Sequence, residues 1–295
     1  MTDTTYEDSV KNEPWLYEIK PKGKFIDINF KEIWRYRDLL ILFVKRDIVT
    51  VYKQTVLGPL WFVIQPLFTS VIFTLVFNKI GGVATQGIPS FLFNLAGVTL
   101  WNYFKECLNY SSTTFKSNAS LFQKVYFPRV IVPGSKAISE LFKYGIQFLI
   151  FVVFYLYFIF VKDAALIPSP LLFLVLPLSI LCMALLGLGI GMILSAMTTK
   201  YRDLSILVSF GVGLLMYVSA VMYPLSEIQE KLPDLFWIIQ YNPLSHIIDT
   251  YRNALLGLPL GSISSFILTV ALSVILFLFG LIIFNKTEKT FIDTV

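Results

Sequence analysis

Residues 164–199 read AALIPSPLLFLVLPLSILCMALLGLGIGMILSAMTT, and no charged side chain interrupts them. A helix that crosses a bilayer core needs about 20 predominantly apolar residues, and this stretch exceeds that even after its two early prolines are set aside. Proline is tolerated in a first helical turn, so Pro168 and Pro170 suit the approach and the helix proper is expected from near Leu171. Working outward, the same test marks runs at 56–77, 88–110, 138–161, 204–225 and 264–284. Lys105 and Glu106 put the end of the second run near an interface, and Glu140 and Lys143 fall in the first turns of the third. The expectation is an all-α membrane protein with six transmembrane helices.

Composition agrees. Charged residues make up 15% of the chain, hydrophobic residues 56% and aromatic residues 16%, with mean hydropathy +0.71. A soluble domain carries roughly 25% charged residues, so this chain lacks the charge to coat a globule. The net charge of +5 reads as topology, not as a nucleic-acid partner, because of where the cations lie. Nineteen Lys and Arg fall on one side of the six-span plan, in residues 1–55, 105–136 and 198–203 and after Phe284. Four fall on the other, Lys79, Lys162, Lys231 and Arg252, while Lys143 lies within a span. Cytoplasmic loops hold the excess of Lys and Arg, so both termini are expected in the cytoplasm. The first 28 residues are polar and show no short apolar stretch ending in small residues, so no cleavable signal is expected.

Residues 29–54 form a different kind of element. Their apolar core, 39–44, is too short to span. At 100° per residue, Lys31, Glu32, Arg35, Asp38, Lys45, Arg46 and Lys53 share an arc of about 140°, opposite Phe30, Ile33, Trp34, Ile41, Val44, Ile48 and Val51. Such a helix lies in the membrane interface with its apolar side down; a helix packed on a cytoplasmic domain is the other reading. This divides the chain into a cytoplasmic lead with an amphipathic interface helix, 1–54, and a six-span domain, 55–295.

Two connections are long. Residues 111–136 are polar, basic and aromatic, and residues 226–261 hold apolar patches at 235–239 and 246–256 broken by Asn242-Pro243. Neither patch can cross, so short external re-entrant or interfacial helices are expected between spans five and six, with a solvated loop as the alternative.

Catalytic chemistry is thin. Gly81 and Gly87 have the spacing of a phosphate-binding loop, but Ile88 stands where lysine is required. Spans one, four, five and six hold no carboxylate, which disfavours an ion-coupled carrier, and Glu140 with Lys143 reads as an i,i+3 ion pair. His246 is the one histidine, and Cys107 and Cys182 lie in apolar segments without metal-ligand spacing. No catalytic or metal-binding residue is expected. Gly187 and Gly191 form a G-x-x-x-G pair, and Gly189, Gly211 and Gly213 add to it; close packing within the chain and a seam between copies are both open.

Several motifs resemble a known family. Lys45-Arg46-Asp47, Tyr52-Lys53-Gln54-Thr55, Leu57-Gly58, Trp61 and Pro66 look like the approach to span one in type-2 ABC transporter permeases of the polysaccharide-export branch. Asn118, Leu121, Lys124-Val125-Tyr126-Phe127-Pro128-Arg129 and Pro133 look like the stretch after its span two, and Tyr223-Pro224, Asn242-Pro243 and Arg252 like its external region. The likeness covers about residues 35–285.

The resemblance implies a transport subunit in the bacterial cytoplasmic (inner) membrane, exporting lipid-linked polysaccharide such as O-antigen, teichoic acid or capsule. It implies a second copy of the chain and two ATP-binding-cassette ATPase subunits, with ATP and Mg on those subunits and no cofactor in this chain. A permease for a drug or lipid, and a membrane-embedded glycan-modifying enzyme, stay open beside it.

Carried over residue by residue, ATPase coupling falls on Asn118, Leu121, Phe122, Lys124, Tyr126, Phe127, Pro128 and Arg129. Positive-inside topology with headgroup-anchoring aromatics is the plainer reading of that loop. Trp61, Phe62, Phe68, Phe73, Phe77, Phe210 and Tyr217 are candidate aromatic faces of a substrate pathway, or lipid-facing and core residues. Trp34, Arg35 and Arg37 are candidates for meeting a substrate headgroup. Trp237, Tyr241, Asn242, Tyr251 and Arg252 are candidates for an external gate, or anchors for the short helices.

Overall fold

The computed structural model describes residues 30–53, 58–201, 203–231 and 233–294, and these are helical almost throughout, with no strand among them. The polar lead 1–28 and the motif residues Gln54, Thr55 and Leu57 lie outside the described residues. The order is α1 (Phe30–Arg35), α2 (Arg37–Lys53), α3 (Leu60–Phe73), α4 (Ser90–Ser112), α5 (Thr114–Ser117), α6 (Ala119–Lys124) and α7 (Ile131–Lys162). Then come α8 (Leu172–Lys200), α9 (Leu204–Val218), α10 (Leu225–Lys231), α11 (Pro233–Gln240), α12 (Pro243–Leu256) and α13 (Ile263–Thr294).

Among the described residues, four helical stretches are long and apolar enough to cross a membrane: Leu60–Ile80, Ile131–Lys162, Leu172–Thr199 and Ile263–Glu288. The first is α3 continued by a π-helical stretch, Thr74–Ile80. A side-chain clasp holds that stretch, with Asn94 Nδ2 donating to Thr74 Oγ1 at 3.1 Å and to Asn78 Oδ1 at 2.8 Å. The run expected as the second span forms a helix, α4, but is not among these four, since it carries Asn94, Thr99, Asn102, Lys105, Glu106 and Asn109. It tolerates them because it is the central helix, packed by α3, α7, α8, α9 and α12 rather than by lipid. The expected fifth span stops early. α9 ends at Val218, after 15 residues, and the chain turns through Ala220 at φ 52°.

The long helices otherwise run as expected or further. α8 starts at Leu172 behind its two prolines. α7 begins seven residues earlier than the apolar run, at Ile131, with Pro133 in its first turn where no helical N–H is lost. α13 continues past Phe284 to Thr294.

The core lies where α8 meets α4 on one side and α13 on the other. Gly187 and Gly191 serve this packing: a Cβ on Gly187 would fall 2.8 Å from Cys107 Cβ, and one on Gly191 2.8 Å from the Leu108 carbonyl. Both glycines therefore work within the chain. Gly211 and Gly213 on α9 have nothing within 4 Å of such a Cβ.

Candidate functional site

Elements that chain order separates gather at the two ends of the bundle. One end holds α2, the α5–α6 connection and the C-terminal part of α13. Here Phe115 stacks on Phe284 with centroids 4.5 Å apart, and Phe122 and Phe127 turn inward beside it, 5.8 Å from each other. Phe43 of α2 meets Phe127 edge-on at 5.9 Å. Arg129 closes the cluster. Its guanidinium sits 5.0 Å over the Phe122 ring, donates to the Glu288 carbonyl at 3.0 Å, and approaches the Glu288 carboxylate at 3.9 Å. Burial lowers its pKa from the ordinary value and Glu288 opposes that.

This arrangement divides the eight candidate coupling residues. Phe122, Phe127 and Arg129 are buried braces. Asn118, Leu121 and Pro128 are half-buried, and Asn118 bonds back to the Thr114 carbonyl at 3.0 Å. Lys124 and Tyr126 face outward, Tyr126 at 74% exposure. Lys116, Ser120, Gln123 and Val125 share that outward face, and sequence reading passed over them. Helical spacing within Ala119–Lys124 would have flagged Ser120 and Gln123 opposite Phe122.

α2 docks on α7 through a chain of charges. Arg46 pairs with Asp47 at 2.9 Å, Asp47 with Lys136 at 3.4 Å, Lys136 with Glu140 at 3.7 Å, and Glu140 with Lys143 at 2.6 Å. Lys136 also sits 3.9 Å over the Tyr110 ring. The expected Glu140–Lys143 pair is therefore the inner end of a longer relay of fixed charges. Trp34 and Arg35 of α1 and Arg37 at the start of α2 all remain exposed, with Arg37 5.9 Å over Trp34.

The candidate pathway residues lie on α3 with its π extension and on α9, two peripheral elements that both pack on α4. Trp61, Phe68, Phe210 and Tyr217 are exposed on open apolar faces. Phe62, Phe73 and Phe77 are half-buried, Phe73 and Phe77 as an edge-on pair at 5.7 Å.

At the opposite end the α3–α4, α7–α8 and α9–α13 connections meet. Gln86 bonds Ser226 at 2.9 Å, and the Ser169 amide donates to the Ala254 carbonyl at 2.9 Å. Asn242 caps α12 by accepting from the Leu244 amide at 3.0 Å and ties it to α9 by donating to the Val218 carbonyl at 3.1 Å. Tyr251 is buried, its hydroxyl 2.9 Å from that of Tyr144. Arg252 is buried too, 3.7 Å over the Phe93 ring, donating to the Ala220 carbonyl at 3.1 Å and to Asp249 at 3.1 Å. Of the five gate candidates, Asn242, Tyr251 and Arg252 thus anchor α12 in the bundle, while Trp237 and Tyr241 are exposed. Asp249 and Phe93 complete the anchor and were missed; the Asp249–Arg252 spacing of i,i+3 was the available signal.

Comparison with known proteins covers the same ground. A family profile described as "ABC-2 type transporter" matches residues 38–256. The chain is 31% identical over 264 residues to an O-antigen export system permease protein RfbA of Klebsiella pneumoniae, covering 87% of this chain and 94% of that one. A second protein of that name from Klebsiella pneumoniae is 31% identical over 260 residues, and one from Myxococcus xanthus 26% over 267 residues, covering 90% of this chain and 98% of the relative.

Proposed function

We propose, from the premise that this chain belongs to the ABC-2 type transporter family, that it is the membrane subunit of an ATP-driven exporter of lipid-linked polysaccharide. The observation that carries this reading is the end-to-end likeness to permeases named for O-antigen export. In this reading the chain is a transport subunit, not an enzyme. Two copies pair in the bacterial inner membrane, and each binds a separate ATPase subunit that holds ATP and Mg. Six helices cross, α4 and α9 included, with α10–α12 at the outer leaflet and both termini in the cytoplasm.

The geometry at the α5–α6 end supports the division of labour. An ATPase needs a stiff handle, and the cluster of Phe115, Phe122, Phe127, Phe284 and Arg129 supplies one. A push on Lys124 and Tyr126 reaches α13 through the Phe115–Phe284 stack and the Arg129–Glu288 contact. The same push reaches α2 through the Phe43–Phe127 contact. Packed aromatic contacts transmit displacement because interiors are close-packed and yield little.

Deletion of the gene tests the function. Long-chain glycan is expected to disappear from the surface of intact cells and to accumulate inside, seen with a glycan-specific lectin before and after permeabilisation. Unchanged surface glycan would sink the substrate assignment.

A further inference from the structure

Between α3, α4 and α7, near the α2 end of the bundle, lies an open cleft of about 200 Å³. That is below the ~300–1,000 Å³ of drug-sized ligand sites and leaves room for one small unit. Its walls include Phe62 and Gln65 of α3, Asn102, Tyr103, Lys105 and Glu106 of α4, and Glu140, Lys143 and Gln147 of α7.

Two features of this lining stand out. Each charge is already matched: Lys143 lies 2.6 Å from Glu140 and Lys105 3.4 Å from Glu106. The cleft therefore offers no net charge to a phosphate. By contrast, the side-chain amides of Gln65, Asn102 and Gln147 converge on it from three different helices, and no described residue bonds them. Gln65 is exposed and Asn102 and Gln147 are half-buried, so the three amides face the open cleft with donors and acceptors available to a ligand.

Primary amides supply both a donor and an acceptor, as does the Tyr103 hydroxyl, and the two carboxylates accept. Phe62 adds an apolar wall on the side shared with a smaller cavity lined by Asp47 and Ile48 of α2. Neutral, amide-rich, with hydroxyl-accepting carboxylates and one aromatic face, the cleft matches an uncharged polyhydroxylated ring.

We propose that this cleft is a saccharide site, which holds one sugar unit of the exported glycan against Phe62, with its hydroxyls shared among Gln65, Asn102 and Gln147. This rests on the exporter reading and deepens it. The site lies beside the charge relay from α2 to α7, so a sugar bound there sits against the helix that docks the interface element onto the bundle.

The test uses the permease with its ATPase in lipid nanodiscs. The probe is the soluble glycan released by mild acid from the surface polysaccharide of the native cells, with free pyrophosphate as a second probe. The triple variant Gln65→Met, Asn102→Leu, Gln147→Met keeps side-chain volume and removes the amides. Glycan affinity is expected to fall at least tenfold, with complex assembly and basal ATPase rate unchanged, and pyrophosphate is expected not to compete. Wild-type affinity in the triple variant overturns the proposal, and so does competition by pyrophosphate, which would mark an anion site.

If the triple variant does not accumulate, a single Gln65→Cys variant decides. Its labelling by a polar maleimide is expected to slow at least threefold under saturating glycan, and labelling at the unprotected rate overturns the proposal. The exporter reading fails separately: loss of the whole gene then leaves surface glycan intact, and this proposal falls with it.

Discussion

Arg252 shows what a single residue does here and how its sequence reading changes. As a cation beyond span five it reads as external and available to gate an exit, because arginine is almost never fully buried unless paired. The structure buries it and pairs both terminal nitrogens, leaving Nε without a hydrogen-bond partner, with the Phe93 face below, Asp249 beside it, and the carbonyls of Ala220, Val221 and Tyr223 within 3.4 Å. Those carbonyls lie just beyond the end of α9, where the chain leaves helical hydrogen bonding and needs donors. Replacement by methionine strips three acceptors and Asp249 of their partner at once. Arg252→Met is expected to destabilise the protein by about 3–5 kcal/mol, read as a lowered melting midpoint in detergent. Arg252→Lys is expected to recover little, since an ammonium cannot fork across several carbonyls and lie flat on a ring. A lysine variant melting like wild type would return Arg252 to the surface.

Elements differ in how far the sequence discloses them, and the difference follows what surrounds them. α8 is plain to read because lipid and apolar helices flank it and no residue needs charge. α4 reads less clearly, since the most enclosed helix meets side chains instead of lipid and so keeps Asn94, Asn102, Lys105 and Glu106. The α5–α6 hairpin is legible as a basic aromatic segment but not in its inside and outside, which the fold of Phe115, Phe122 and Phe127 onto Phe284 decides. That split makes two aromatic substitutions diverge. Tyr126→Ala is expected to weaken ATPase binding about tenfold or more, as loss of an exposed anchor does, with the melting midpoint held. Phe127→Ala is expected to cost about 3–5 kcal/mol of stability instead. Co-purification with the ATPase and thermal melting, run on both variants, separate the two roles. The glycines of adjacent spans diverge likewise. A Cβ on Gly189 of α8 would meet the Leu276 carbonyl of α13 at 2.7 Å, whereas one on Gly213 of α9 meets nothing within 4 Å. Gly189→Ala is expected to force the two helices apart at about 1–3 kcal/mol, and Gly213→Ala to melt like the parent. Equal melting of both would mean that α8 and α13 do not pack this closely.

Across the whole molecule, the two ends of the bundle carry the charge asymmetry in three dimensions. α2, the α5–α6 hairpin, the α8–α9 turn and the C-terminal part of α13 come from four separate stretches of chain, and each carries cations: Arg37, Lys45, Arg46 and Lys53, then Lys116 and Lys124, then Lys200, then Lys286. Lys79, Lys162, Lys231 and Arg252 belong to the other end, where Lys231 bonds the Gly82 carbonyl at 3.3 Å and Arg252 is locked inside. In the proposed function, an even number of spans is what brings both termini to one side. In that same reading the cationic end faces inward, so the hairpin is expected in the cytoplasm and α10 outside. Cys107 and Cys182 are both buried, which leaves the surface free for reporter thiols. Ser120→Cys, on the hairpin's outward face, is expected to react with a membrane-impermeant maleimide only after cells are permeabilised. Ser226→Cys, on α10 beside Gln86, is expected to react in intact cells. The reverse pattern would invert the topology and, with it, put the coupling face beyond the reach of any cytoplasmic ATPase. Reaction of both thiols in intact cells would mean that an odd number of helices does not separate them, and α9 would then be the span to strike from the count.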